Sequence, residues 1–153
     1  RTFKRQRTLM KTFTNLALVL FSMSAAAQED FSKLKWRNRI LVFSTQNLKD
    51  EAFVAQWDNF KSSAKKLDDR NILLFALSKG RLLDKDLKVI PSYHIAPLRK
   101  KYNIPQTYEG ITLIGKDGGV KLQKPLHTEP KVFFEAIDQM PMRQQEMRQN
   151  IDD

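Results

Sequence analysis

Residues 39–43 read Arg-Ile-Leu-Val-Phe and residues 72–77 read Ile-Leu-Leu-Phe-Ala-Leu. After Arg39 the first is four apolar residues in a row and the second is apolar throughout, rather than alternating, and continuity over such a length marks a strand covered on both faces. Between them Phe53, Val54, Trp57, Phe60, Ala64 and Leu67 recur at helical spacing, the stripe needed to cover one face of that sheet. Asp50 and Glu51 fall in the first turn of this helix and Lys65 and Lys66 in its last, each sign matching the helix dipole. Asp68-Asp69-Arg70-Asn71 closes it. A helix joining two buried strands predicts a right-handed parallel βαβ unit.

Further along, Ile111-Thr112-Leu113-Ile114-Gly115 and Val120-Lys121-Leu122-Gln123 flank Lys116-Asp117-Gly118-Gly119. Asp-Gly between two strand-like runs predicts an antiparallel hairpin, and the alternating second arm suits an exposed outer strand. A short helix is expected from about Pro97 to Tyr102, with Leu98 and Tyr102 inward and Pro97 in its first turn. Thr128 reads as the N-cap of a closing amphipathic helix that turns Val132, Phe133, Ala136, Ile137 and Met140 inward. Phe31, Leu34 and Trp36 form a lead-in whose aromatic would cover a sheet edge, and 79–92 reads as an irregular insertion with a short strand near Val89. The expected order is β-α-β-α-β-β-α, an α/β class.

The last stretch, Ile137 to Arg148, interrupts its helix with Met140-Pro141-Met142. Proline has no amide proton and crowds the preceding turn, so the helix ends or bends there. Met142 to Met147 can then form a further turn or two, with Arg143 and Glu146 paired at i, i+3. Met140, Met142, Arg143 and Met147 read as a flexible segment that docks on its own domain, or alternatively as a partner-binding patch.

The N-terminal region has a different character. From Met10 the chain shows a lysine, an apolar run from Leu16 to Met23, and Ala25-Ala26-Ala27. That succession describes a secretory signal peptide cleaved after Ala27, too short in its apolar part to span a bilayer comfortably. Residues 1–27 are thus expected to be a signal peptide with an upstream extension, and 28–153 the exported domain, with its core at about 36–140. Arg1, Lys4, Arg5, Arg7 and Lys11 are five of the 27 basic residues, and none of the 17 acidic ones lies before Gln28. Residues 28–153 therefore carry 22 basic against 17 acidic groups, a formal +5 rather than the +10 of the whole sequence. The excess is moderate and dispersed, its densest run being Arg99-Lys100-Lys101, which reads as a solvated helix end; no nucleic-acid partner is expected.

The sequence contains no cysteine. That removes a lipobox, thiolate metal ligands and all thiol redox chemistry, and leaves a periplasmic or secreted protein without disulfides. His94 and His127 stand alone, with neither HxxxH nor HxxE spacing, so no metal is expected. No GxSxG elbow and no GxxxxGK[ST] loop occur, and Gly115, Gly118 and Gly119 belong to the hairpin turn. No cofactor is expected. The best candidate site is Ser44-Thr45-Gln46-Asn47, which follows the first buried strand where a helix N-terminus offers free amides. These residues read first as caps and turn formers, and second as a place to hold a small anion or a peptide backbone.

Several stretches together carry a family resemblance: Trp36 to Thr45 (WRNRILVFST), Leu98 to Ile104 (LRKKYNI), Ile114 to Leu122 (IGKDGGVKL) and Ile137 to Arg148 (IDQMPMRQQEMR). They resemble the landmarks of an uncharacterised bacterial family, domain of unknown function 4174, which is similar to the DUDES-type, peroxiredoxin-like domains of animal extracellular sushi-repeat proteins. The resemblance covers nearly all of residues 28–153 and implies a thioredoxin-like, three-layer fold. In working thioredoxins a Cys-x-x-Cys pair follows the first core strand. Here that place falls at Ser44 to Asn47, and Tyr108-Glu109-Gly110 stands where a cis-proline would precede the hairpin. The expectation is therefore a monomeric, exported binding module of the cell envelope, without thiol catalysis and without stable membrane insertion after cleavage. Its partner would be an envelope protein or a small polar ligand. The alternatives are a non-thiol enzyme using the Ser44 to Asn47 corner with a Lys or Arg from 79–101, and a structural envelope protein.

Overall fold

The structure is a computed structural model that describes residues 30–152. The expected signal peptide at 10–27 lies outside the described residues. Along the chain come β1 (Arg39–Ser44), α1 (Glu51–Ser62), α2 (Ala64–Asp69), β2 (Ile72–Ser78), β3 (Arg81–Leu83), α3 (Ile95–Lys101), β4 (Gly110–Ile114), β5 (Val120–Lys124), α4 (Pro130–Asp138) and α5 (Pro141–Asp152). A 3-10 turn at Phe31–Leu34 precedes them.

The two continuous apolar runs pair in parallel from Arg39↔Ile72 to Ser44↔Leu77. β4 lies antiparallel on the other side of β1 and carries β5 as its hairpin arm, giving the sheet order β3-β2-β1-β4-β5. Gly118 adopts φ +82° in that hairpin, a left-handed conformation that favours glycine, while the Asp117 carboxylate accepts the Gly119 amide at 3.0 Å. Because β1 and β2 alternate their side chains across a sheet covered twice, one run feeds two cores. Leu41, Phe43, Ile72 and Leu74 meet Phe53, Trp57 and Phe60 of α1 and Phe133 and Ile137 of α4. Ile40, Val42 and Leu77 meet Phe31, Leu98 and Tyr102 on the opposite face. This is the expected three-layer, thioredoxin-like arrangement.

Four expectations need correction. The first helix is two helices broken at Ser63, because the Ser62 and Ser63 hydroxyls both donate to the Asn59 carbonyl, at 2.8 and 3.2 Å. The Ser63 amide turns instead to the Phe60 carbonyl, so side-chain competition bends the chain there. The segment after β2 is not irregular at its start. Lys79 and Gly80 both have positive φ and close a two-residue hairpin into β3, whose Leu83 forms the isolated bridge to Val89. Glu129, not Thr128, occupies the N-cap of α4, with Pro130 following at its first position. Finally, Val54, Ala64 and Val132 are exposed rather than inward, with Phe134 and Gln56 buried in their stead, and of the lead-in aromatics Phe31 is buried while Trp36 is exposed. Gln56 is tolerated there because its amide donates to the Thr128 carbonyl at 3.0 Å.

Trp57 is only 3% exposed and meets Phe43 edge-on, with ring centroids 5.1 Å apart. Trp57→Ala should lower the unfolding free energy by about 3–5 kcal/mol, the usual cost of emptying a large buried aromatic site, as read from urea denaturation.

Candidate functional site

The ends of the sheet are built differently. At one end the C-termini of β1 and β2 and the N-terminus of β4 converge, bringing Ser44, Ser78 and Gly110 together. Gly110 is required here, since a Cβ on it would lie 2.6 Å from the Lys124 carbonyl oxygen. The Ser44 hydroxyl is buried without a hydrogen-bond partner among the described residues. Thr45 is also buried, and its Oγ1 donates to the Asn47 carbonyl at 3.1 Å while accepting the Asn47 amide at 3.2 Å. The Asn47 side chain accepts the Lys49 amide at 3.0 Å. These residues turn the chain but do not cap α1. That role falls to Asp50, whose carboxylate accepts the Ala52 and Phe53 amides at 3.0 and 3.2 Å.

Of the four candidate residues, Gln46 and Asn47 are exposed. The Gln46 amide donates to the Glu109 carboxylate at 3.2 Å, and its side-chain Nε2 donates to the Gln106 carbonyl at 2.9 Å. With Lys79, Gly80, Ile95, Ala96, Arg99 and Gln106, Gln46 lines a groove of ≈ 240 Å³. Arg99 donates to the Pro105 carbonyl at 2.8 Å, and burial lowers its guanidinium pKa. The structure therefore brings Gln46 together with Lys79 and Arg99 of the 79–101 segment, while Ser44, Thr45 and Asn47 do not line the groove. Gln106 and Glu109 had no sequence signal, because they reach Gln46 from some 60 positions away.

At the opposite end charges close the sheet. Arg39, at the start of β1, is 1% exposed. Its Nη1 and Nη2 donate to the Glu146 carboxylate at 3.1 and 3.2 Å, and Nη1 also donates to the Arg70 carbonyl at 2.8 Å. Lys116 Nζ reaches Glu146 at 2.7 Å and the Asn71 side chain at 2.9 Å. Arg143, 3% exposed, holds Asp69 at 2.5 Å and Asp138 at 3.2 Å, and Arg70 clasps Asp138 at 2.7 and 2.9 Å. The expected Arg143–Glu146 pair is present at 3.7 Å. Met140, Met142 and Met147 are half-buried, so α5 and the residue before it lie against their own domain.

Both histidines are exposed, His94 at the N-cap of α3 and His127 in the loop between β5 and α4. Among the described residues no group of three or more His, Asp or Glu could hold a metal, and no helix is long and apolar enough to cross a membrane.

The chain belongs to the family described as domain of unknown function DUF4174, whose profile matches residues 30–146. It is similar to coiled-coil domain-containing protein 80 of Danio rerio, 27% identical over 132 residues that cover 76% of this chain. The match spans 15% of that relative's length. A solved structure described as "Crystal structure of Trgpx in apo form" superposes with a TM-score of 0.45 at 21% identity, over 72% of this chain and 87% of that one.

Burial opposes ionisation of Glu146 more than any other single influence. The hydrogen bonds and charges of Arg39 and Lys116 together outweigh it and hold the carboxyl below its ordinary value of 4.5. Asp138 behaves alike under Arg70 and Arg143, and the bond from Lys101 chiefly brings Asp30 down to about 2. A depressed carboxyl stabilises the fold above its ordinary pKa and loses that contribution as pH falls through the folded value. Thermal melting should therefore hold steady at neutral pH and drop progressively below the ordinary carboxyl range. Glu146→Ala, which leaves Arg39 buried without its anion, should cost about 3–5 kcal/mol at neutral pH and flatten part of the acid limb.

Proposed function

We propose that the chain is an exported binding module whose thioredoxin-like frame recognises a small anionic or extended polar ligand in the groove at the strand ends. The observation that carries this reading is the meeting of Gln46 with Lys79 and Arg99 around a cavity of ≈ 240 Å³. Open α/β sheets offer ligand crevices beyond the carboxyl ends of their parallel strands, and two cations beside an amide suit a carboxylate or phosphate oxygen. The Glu109 carboxylate beside Gln46 disfavours dense negative charge, so a ligand with one acidic group on an extended polar body fits best. Thiol chemistry has no place in this reading, because disulfide and peroxide cycles of this fold run through a cysteine thiolate and the 153 residues contain none. Export rests on the basic, apolar and small-residue succession of residues 10–27. The module acts as a monomer on an envelope protein or a small polar ligand.

Titration of the isotope-labelled protein with a tripeptide bearing a free C-terminal carboxylate should shift the amide resonances of Gln46, Gly80 and Arg99. Lys79→Ala with Arg99→Ala should weaken that binding about tenfold, roughly the 1.4 kcal/mol expected for losing charge-assisted contacts. Shifts confined to other surfaces would overturn the assignment. Export is checked separately, by N-terminal sequencing of the protein recovered outside the cytoplasm, which should begin at Gln28.

A further inference from the structure

We infer that the open half of the β2 edge, Ile72 to Phe75, is a second binding site that takes an extended, apolar peptide strand from a partner. The reasoning starts from the ladder. The Arg39 amide donates to the Asn71 carbonyl at 2.9 Å and the Thr45 amide to the Leu77 carbonyl at 3.1 Å, with Arg39 opposite Ile72. A parallel ladder alternates, so the amides of Leu73, Phe75 and Leu77 face β1, and those of Ile72, Leu74, Ala76 and Ser78 face the other way. β3 covers that other side only at Ala76↔Leu83 and Ser78↔Arg81. The N–H and C=O groups of Ile72 and Leu74 therefore point outward in the plane of the sheet, with no partner among the described residues. Such groups, one pair on every second residue, are complemented by the backbone of another strand.

The surroundings define the occupant. A groove of ≈ 520 Å³ runs along this edge, with Ala64, Leu67, Ile72 and Leu74 among its apolar lining. Its cations are already engaged, since Lys61 and Lys85 lie on the Asp86 carboxylate at 3.9 and 3.1 Å. The Asp84 carboxylate accepts the Asp86 and Lys88 amides at 2.9 and 3.0 Å, while Asp68 has no cation among the described residues. The site thus favours an apolar peptide without acidic groups. A second folded copy fits poorly. Four residues of strand extend only about 13 Å, whereas a stable interface buries about 800 Å² on each partner. The turn carrying Asp84 and Lys85 also lines the groove beside the edge, which a flat second sheet would have to clear. The opposite edge of the sheet is guarded in the usual way, by Lys121 and Lys124 on β5. Ile72 to Phe75 carry no charge at all.

Hydrogen exchange on the protein alone should find the Ile72 and Leu74 amides exchanging faster than those of Leu73 and Phe75. Adding the blocked peptide acetyl-Val-Thr-Val-Thr-Val-amide should slow the first pair and shift their resonances. Ala64→Arg, a change at an exposed helical position that fills the groove, should leave the melting temperature unchanged and weaken peptide binding at least about tenfold. Three results would overturn the proposal. Ile72 and Leu74 amides as protected as their neighbours in the monomer would show that the chain covers its own edge. Protection that rises with protein concentration, together with a dimer in sedimentation, would make the occupant a second copy. Peptide shifts that bypass β2, or survive Ala64→Arg, would place binding elsewhere. The strand-end groove is read by different resonances, so either site can fail without the other.

Discussion

A guanidinium sits at the first position of the central strand with 1% of its surface exposed, and much of the chain is arranged around keeping it neutralised. Removing such a charge from water is costly unless geometry and hydrogen bonding compensate, and removing a partner afterwards costs more still. Arg39 finds its carbonyl in the α2–β2 loop and its carboxylate in α5, more than 100 positions away. That requirement explains the Met-Pro-Met interruption. α4 must stop after packing Phe133, Phe134 and Ile137 on the sheet, and the chain must then turn back beneath the strand ends. Pro141 can open α5 at no hydrogen-bond cost, because the first amide of a helix has no partner within it. Arg143 and Glu146 then project toward Asp69, Asp138 and Arg39 rather than into solvent.

Charge pairing closes one end of the sheet, and the groove proposed for a ligand lies at the other. Glu146, Asp138 and Asp69 hold Arg39, Lys116, Arg70 and Arg143 in a connected array, so those cations are committed to structure. Lys79 and Arg99, at the far end, face no carboxylate within ion-pairing distance among the described residues. In the proposed reading it is their field, tempered by Glu109, that a ligand would meet. The turn after β1 holds its polar groups in different ways. Here Thr45 spends its hydroxyl on Asn47, and the polar side chain that reaches outward is Gln46.

Legibility followed the kind of force that fixes each element. β1, β2 and the β4–β5 hairpin were readable because burial on two faces and a glycine with positive φ leave direct marks on residue type. β3 was not, for it has three residues and its turn places Lys79 in the left-handed region, where Asn or Gly would have announced it. The break at Ser63 escaped a periodicity argument, since Leu67 keeps helical spacing from Phe60 while the serine hydroxyls redirect the backbone. α5 was seen as a turn or two and runs for 12 residues, because it docks through ion pairs that an apolar pattern does not register. The turn after β1 is legible from its polar residues, whereas the α1 cap and the tertiary neighbours of Gln46 are not. Asp50 competes locally for the α1 amides, and Gln106 and Glu109 arrive by tertiary contact.

The same serines that hid the helix break help to shape the open edge. α1 presses Phe53, Trp57 and Phe60 into the core, so continuing it straight would carry its last turn along that line. By taking the Asn59 carbonyl, Ser62 and Ser63 release the backbone into a new helix, in which Leu67 returns to the core and Ala64 stays exposed. Ala64 lines the groove beside Ile72 and Leu74 with a side chain of one carbon, next to Leu67 and Asp68 of the same helix. Meanwhile β3 ends at Leu83, after which the Leu87 amide bonds back to Asp84 and the chain leaves the sheet. A helix break on one side and a short strand on the other thus leave the outward N–H and C=O groups of Ile72 and Leu74 without a strand partner although both side chains are buried, which ties the open ladder to local backbone chemistry rather than to loose packing.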